Sequence, residues 1–159
     1  MRIGIDGRLF GPMLGGGGLG RYLEELVKAL AKLQNNHQFV LFCLPETAAN
    51  FSPPNKNWRL VTVNSRWYTL AEQFELPSTF ARAHLDLVHV PHFNVPLNWP
   101  RPFIATIHDL ILFEIPESAH ATTLDPFRYA LKRLGHSLSF HHVAAHARAI
   151  ITPSRATES

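Results

Sequence analysis

Short apolar runs alternate along the chain with stretches in which apolar residues recur at helical spacing. Arg2 to Ile5 is a brief apolar run ending at Asp6, and it predicts a first strand. A glycine-rich stretch from Gly11 to Gly20 follows. Leu19, Tyr22, Leu23, Leu26, Leu30 and Leu33 then share one face, with Glu24, Glu25, Lys28 and Lys32 on the others. That is an amphipathic helix of about four turns, ended by Asn35-Asn36. Gln38 to Leu44 is nearly continuous in β-prone residues, as a strand covered on both faces would be. Pro53-Pro54-Asn55 marks a loop, and Trp58 to Val63 a third strand. Tyr68 to Ala83 predicts a helix that Pro77 must kink or restart. Leu85 to Val90, stopped by Pro91, and Phe103 to Ile107 predict two more strands. Asp125-Pro126 pairs an N-cap acid with a first-turn proline. It opens a helix to about His146, with Phe127, Leu131, Leu134, Leu138 and Ala145 as its apolar stripe. Ala149 to Thr152 is a last strand, closed by Pro153.

Strands that alternate with helices predict an α/β fold, a parallel sheet with helices on both faces. In such sheets ligands bind beyond the carboxyl ends of the strands. That rule selects Asp6, the glycine loop, His89 to Asn94, His108-Asp109 and Ser154.

Composition narrows the class. The 159 residues suit about one domain, and 46% hydrophobic against 17% charged is ample for a core. No apolar run approaches the roughly 18 residues of a membrane helix. The start, Met1 to Asp6, is no signal peptide, because an acid interrupts a short apolar stretch. The single Cys43 excludes a disulfide framework or a cysteine zinc site within one chain, so a cytoplasmic protein is expected. A net charge of +3 is too weak to argue for nucleic acid but suits anionic small molecules. The stop at Ala156-Thr157-Glu158-Ser159, directly after a strand and turn, reads as the end of a fragment.

Gly15-Gly16-Gly17-Gly18-Leu19-Gly20 stands between a strand and a helix, where backbone N–H groups and the helix dipole favour a phosphate. Gly15, Gly17 and Gly20 formally satisfy G-x-G-x-x-G. Yet Asp6 to Leu14 intervene after the strand, and the nearest acid downstream, Glu46, follows the second strand, so a dinucleotide site is disfavoured. Arg21 opposes the macrodipole in the first turn, and a bound anion would relieve it. The bland alternatives are a surface linker and a solvated arginine. His108, at a strand end, can hydrogen-bond a substrate hydroxyl or move a proton, or be a His capped by its turn. His89-Val90-Pro91-His92-Phe93-Asn94 could line a sugar or nucleotide pocket. His136, His141, His142 and His146 crowd one helix, but no H-E-x-x-H pattern or third ligand appears, so no metal is expected. No nucleophile arrangement is present, and Trp67-Tyr68-Thr69-Leu70 reads as packing rather than a stacking platform.

Several segments together resemble the N-terminal domain of a GT-B glycosyltransferase of family 4. They are Ile3-Gly4-Ile5-Asp6-Gly7-Arg8, Gly17-Gly18-Leu19-Gly20-Arg21-Tyr22, Asp86-Leu87-Val88-His89-Val90-Pro91-His92, Thr106-Ile107-His108-Asp109-Leu110 and Ile150-Ile151-Thr152-Pro153-Ser154. The resemblance implies a Rossmann-like half of a two-domain enzyme that transfers a hexosyl group, mannose or glucose, from a nucleotide-sugar to a glycan or lipid-linked acceptor with retention. It implies donor-phosphate contact at Gly17, Gly18 and Gly20, and places His108 and Asp109 near the transferred sugar. Asp6, Arg21, Tyr22, His92, Asn94 and Ser154 would line the acceptor side of the cleft. It implies no cofactor, the nucleotide-sugar being a substrate. The family's second domain, with its paired glutamates, has no counterpart here, so the chain would be half an active site, completed in cis or in trans. Peripheral contact at the inner membrane face is compatible with the basic balance. Two other classes compete: a non-catalytic glycan- or nucleotide-binding module of the same fold, and a nicotinamide-dependent oxidoreductase, disfavoured by the glycine spacing.

Overall fold

The computed structural model describes residues 1–10, 17–33, 36–110 and 126–158, without the side chains of 126–132, 156 and 158. Gly11 to Gly16, Asn35, Asp125 and the side chains of Phe127 and Leu131 lie outside the described residues. Six strands form one sheet: β1 (Arg2–Asp6), β2 (Gln38–Cys43), β3 (Trp58–Thr62), β4 (Leu87–Val90), β5 (Phe103–Thr106) and β6 (Ala149–Ile151). Their order is β3-β2-β1-β4-β5-β6, and every pairing is parallel. The chain builds outward from β1 to β3, then crosses back to lay β4 on the other side of β1. That reversal puts a topological switch point between the carboxyl ends of β1 and β4, where such sheets bind ligands.

Two apolar layers hold the sheet. On one face Ile5, Phe39, Leu41 and Trp58 meet Leu23 and Val27 of α1 (Gly17–Lys32). On the other, Val40, Phe42, Val88 and Val90 meet Leu76 and Phe80 of α3 (Glu72–Arg82) and Val143 of α4 (Pro126–His146). Each fully buried side chain of this size contributes roughly 1.5–3 kcal/mol. Gly4 is required by this packing: a Cβ there would stand 2.5 Å from Leu85 Cδ1 and 3.0 Å from Phe42 Cε2. Two short helices, α2 (Pro45–Asn50) and α5 (Arg155–Glu158), complete the described elements.

Three expectations change. The helix expected from Tyr68 begins at Glu72, because Tyr68 is left-handed, with φ 59°. Pro77 does not restart it: one helix runs through, and the Gln73 carbonyl goes without its helical donor. The expected stripe of α4 is not its buried face. Leu134 and Leu138 are 56% and 50% exposed, and the helix instead turns Ser139 and Val143 inward. Among the described residues no helix is long and apolar enough to cross a membrane.

Candidate functional site

Two side-chain clusters meet at the carboxyl edge of the sheet. The first is built on an ion network. Asp6 ends β1, and two residues later Arg8 turns back under it, fully buried. Arg8 Nε and Nη2 donate to the two Asp6 carboxylate oxygens at 2.9 and 2.8 Å. Its Nη1 donates to Glu72 Oε2 at 2.9 Å and to the Ser65 carbonyl at 3.3 Å. Glu72 is 1% exposed, and its Oε1 accepts from Asn94 Nδ2 at 2.7 Å and from the Tyr68 N–H at 3.1 Å. Buried charges persist only when paired and hydrogen-bonded in this way. The two carboxylates hold the guanidinium firmly protonated against the burial that opposes its charge. The network ties the ends of β1 and β4 to the segment after β3.

Beside it opens a cavity of about 410 Å³ lined by Leu9, Leu19, Leu44, Arg66, Trp67, Tyr68 and His92. These residues follow β1, β2, β3 and β4 or open α1, so the cavity lies at the edge the sheet rule selects. The Arg8 guanidinium carbon sits 5.1 Å from the Trp67 ring centroid. Trp67 and Tyr68, expected to be packing, are walls of this cavity, and Leu70 is 83% exposed.

The second cluster lies over β5. His89 Nε2 and Thr106 Oγ1 are 2.9 Å apart, and Tyr22 Oη is 3.2 Å from the same hydroxyl. The Tyr22 ring meets the His108 ring edge to face at 4.9 Å. His108 Nε2 lies 3.1 Å from the Pro91 carbonyl oxygen. A carbonyl can only accept, so Nε2 carries the proton and Nδ1 is the ring atom left for a ligand. Burial first, then His108, pushes both His89 and His92 down to about 4. Both are neutral near pH 7.

The residues singled out in the sequence thus divide. Tyr22 and His108 are partners. Ser154 is exposed, but its hydroxyl meets Thr157 Oγ1 at 3.0 Å, and Thr157 Oγ1 donates to the His108 carbonyl at 3.3 Å. Asp6 and Asn94 are buried, with their polar groups on Arg8 and Glu72 rather than facing solvent. His92 lines the cavity, its Nδ1 accepting the Asn94 N–H at 3.3 Å. Asp109 is exposed at the end of the His108 turn. Gly17 and Gly18 open α1, Gly17 with φ 45°, and a Cβ at either would meet nothing within 4 Å. Gly20 is buried; Arg21 is exposed and, because α1 begins at Gly17, stands in the second turn rather than the expected first. No acid occupies the first turn of α1, so its end stays positive. His142 and His146 stack at 4.8 Å, and no group of three or more His, Cys, Asp or Glu among the described residues could hold a metal. Sequence reasoning missed Glu72, and took Arg8 only as part of a motif. Asp6-Gly7-Arg8, an acid and a base flanking a turn, was the available signal.

The geometry is that of a ligand edge at a switch point, with a positive helix end on one side and neutral imidazoles on the other. A search of curated proteins finds no match. Among solved structures, the chain is similar to the spinosyn rhamnosyltransferase SpnG complexed with thymidine diphosphate, at 14% identity and a TM-score of 0.43. That likeness covers 92% of this chain and 42% of the other, so the chain spans less than half of that protein's length. The model of glycosyltransferase family 4 matches residues 16–159, which takes in α1, all the later strands and the His108 cluster. On that match, the chain belongs to glycosyltransferase family 4.

Proposed function

We propose that this chain is the acceptor-side half of a retaining glycosyltransferase. The enzyme moves a hexosyl group, mannose or glucose, from a nucleotide-sugar to a glycan or lipid-linked acceptor. One observation carries the reading beyond family membership. The acid-free N-terminus of α1, the Tyr22–His108 pair and the 410 Å³ cavity share one edge of the sheet.

Each part has a task in that chemistry. The first-turn N–H groups of α1, reached across Gly17 and Gly18, meet the donor diphosphate, and Arg21 adds a cation as charge develops on the leaving group. His108 offers Nδ1 to a hydroxyl of the transferred sugar, its ring held by Pro91 and Tyr22. The acceptor enters the cavity, and its hydroxyl attacks the anomeric carbon on the face from which the nucleoside diphosphate departs, the C1–O–phosphate bond breaking as the hydroxyl proton passes to the departing phosphate. No protein nucleophile is required, and no metal or cofactor takes part. A second, nucleotide-binding domain, in the same chain or in trans, completes the site.

Transfer is tested from GDP-mannose and UDP-glucose to an alkyl mannoside, with the chain alone and with a two-domain form. The proposal expects transfer only by the two-domain form, with the anomeric configuration of the donor kept. Robust turnover by the 159 residues alone, or an inverted product, would sink it.

A further inference from the structure

Tyr68 has a left-handed backbone, φ 59°, which an aromatic residue adopts only under strain. Strain of this kind persists where the surroundings over-determine it. The ring leans on His136 at 5.1 Å and on His92 at 6.2 Å, yet Tyr68 stays 53% exposed, so core packing does not impose the conformation. What holds the residue is its N–H, which donates to Glu72 Oε1 at 3.1 Å. The same oxygen takes the Asn94 amide, and the other oxygen takes Arg8. Glu72 is therefore held by Asn94 and Arg8 before it meets Tyr68. Arg8 in turn lies over the Trp67 ring. One buried network thus sets the backbone of Tyr68 and the ring of Trp67, and both side chains line the cavity.

We propose that Glu72 is a positioning residue whose buried carboxylate holds Tyr68 left-handed and so raises Trp67 and Tyr68 as an aromatic wall for the sugar ring of the acceptor. The proposal rests on the acceptor-side reading above. A pyranose presents an apolar C–H face, which gains by packing on an aromatic ring while its hydroxyls stay solvated. The strain is spent on the cavity, not on the core.

The test uses the 159-residue chain and octyl β-D-glucoside below its micellar concentration, followed by NMR. In the wild type, Tyr68 shows the strong intraresidue amide–Hα contact of a positive φ. Glu72→Gln loses that signature, and probe affinity falls about tenfold. Tyr68→Gly relieves the strain, so it melts no lower than the wild type, yet it binds the probe about tenfold more weakly. A merely structural Tyr68 would lose stability instead. If Glu72→Gln fails to fold, the wild-type signature and Tyr68→Gly decide. A negative φ at Tyr68 in the wild type, or undiminished binding by the variants that fold, overturns the proposal. Absence of probe binding by the wild type overturns the acceptor-side reading and the wall with it.

Discussion

Tyr22 and His108 meet edge to face with ring centroids 4.9 Å apart, although one lies in the second turn of α1 and the other follows the fifth strand. Tyr22 Oη reaches Thr106, and His108 Nε2 donates to Pro91, so each ring has its own anchor. His108→Ala in the two-domain enzyme is expected to lower kcat/KM by about a hundredfold, the size of a lost transition-state contact. Melting temperature should move little, because His108 is only half-buried. Tyr22→Phe keeps the ring contact and should cost much less. Equal activity of His108→Ala and wild type in a steady-state assay would remove His108 from the site.

Arg8 separates two buried carboxylates from a low-dielectric surrounding. Arg8→Leu leaves Asp6 and Glu72 without their cation, and the expected loss is about 3–5 kcal/mol in urea unfolding. A loss below about 1 kcal/mol at pH 7 would show that the network is solvated rather than buried.

Stability should also depend on the buried imidazoles. Folded His89 sits at about 4, below its ordinary 6.5, because burial opposes its charge. Between those values the unfolded chain binds the extra proton, so stability is lost as pH falls from about 6.5 through 4 and levels off below that. His92 contributes in the same direction. Urea midpoints measured from pH 7 to pH 4 should fall, and His89→Asn should flatten the slope. An equally steep slope in that variant would contradict the assignment.

The glycines divide by role. Gly7→Ala would place a Cβ 2.4 Å from Leu41 Cδ1 and 3.2 Å from the Phe42 carbonyl oxygen, and should cost about 1–3 kcal/mol. Gly18→Ala meets open space and gains helix propensity, so thermal unfolding should show no loss. Gly18→Trp should leave the fold intact and still reduce transfer by blocking the approach to α1. Unchanged transfer in Gly18→Trp would place the donor elsewhere.

The sheet was legible because each strand is an apolar run closed by a polar or proline residue, as at Asp6 and Pro91. α2 was not, since six residues carry no helical period, and Pro45 and Glu46 were its sole markers. The inner face of α4 escaped because Ser139 and Val143 are less apolar than the exposed Leu134 and Leu138. At the site, strand ends pointed to Asp6 and His108, but the pattern does not say which way a side chain faces. Asp6 turns under the sheet edge to Arg8, and His108 is held beside the cleft. Glu72 was invisible because its partner Arg8 lies 64 residues away, and no spacing encodes such a pair. The left-handed Tyr68 follows from that pair, so it was hidden too.

The proposed donor edge lies at the carboxyl ends of the strands. Amide shift mapping of the 159-residue chain with GDP-mannose and UDP-glucose tests it directly. Binding is expected to be weak, with shifts at Gly17 to Tyr22 and around His108, and none at Arg2, Gln38 and Lys56 on the opposite edge. Shifts confined to that opposite edge, or none with either nucleotide-sugar, would contradict it.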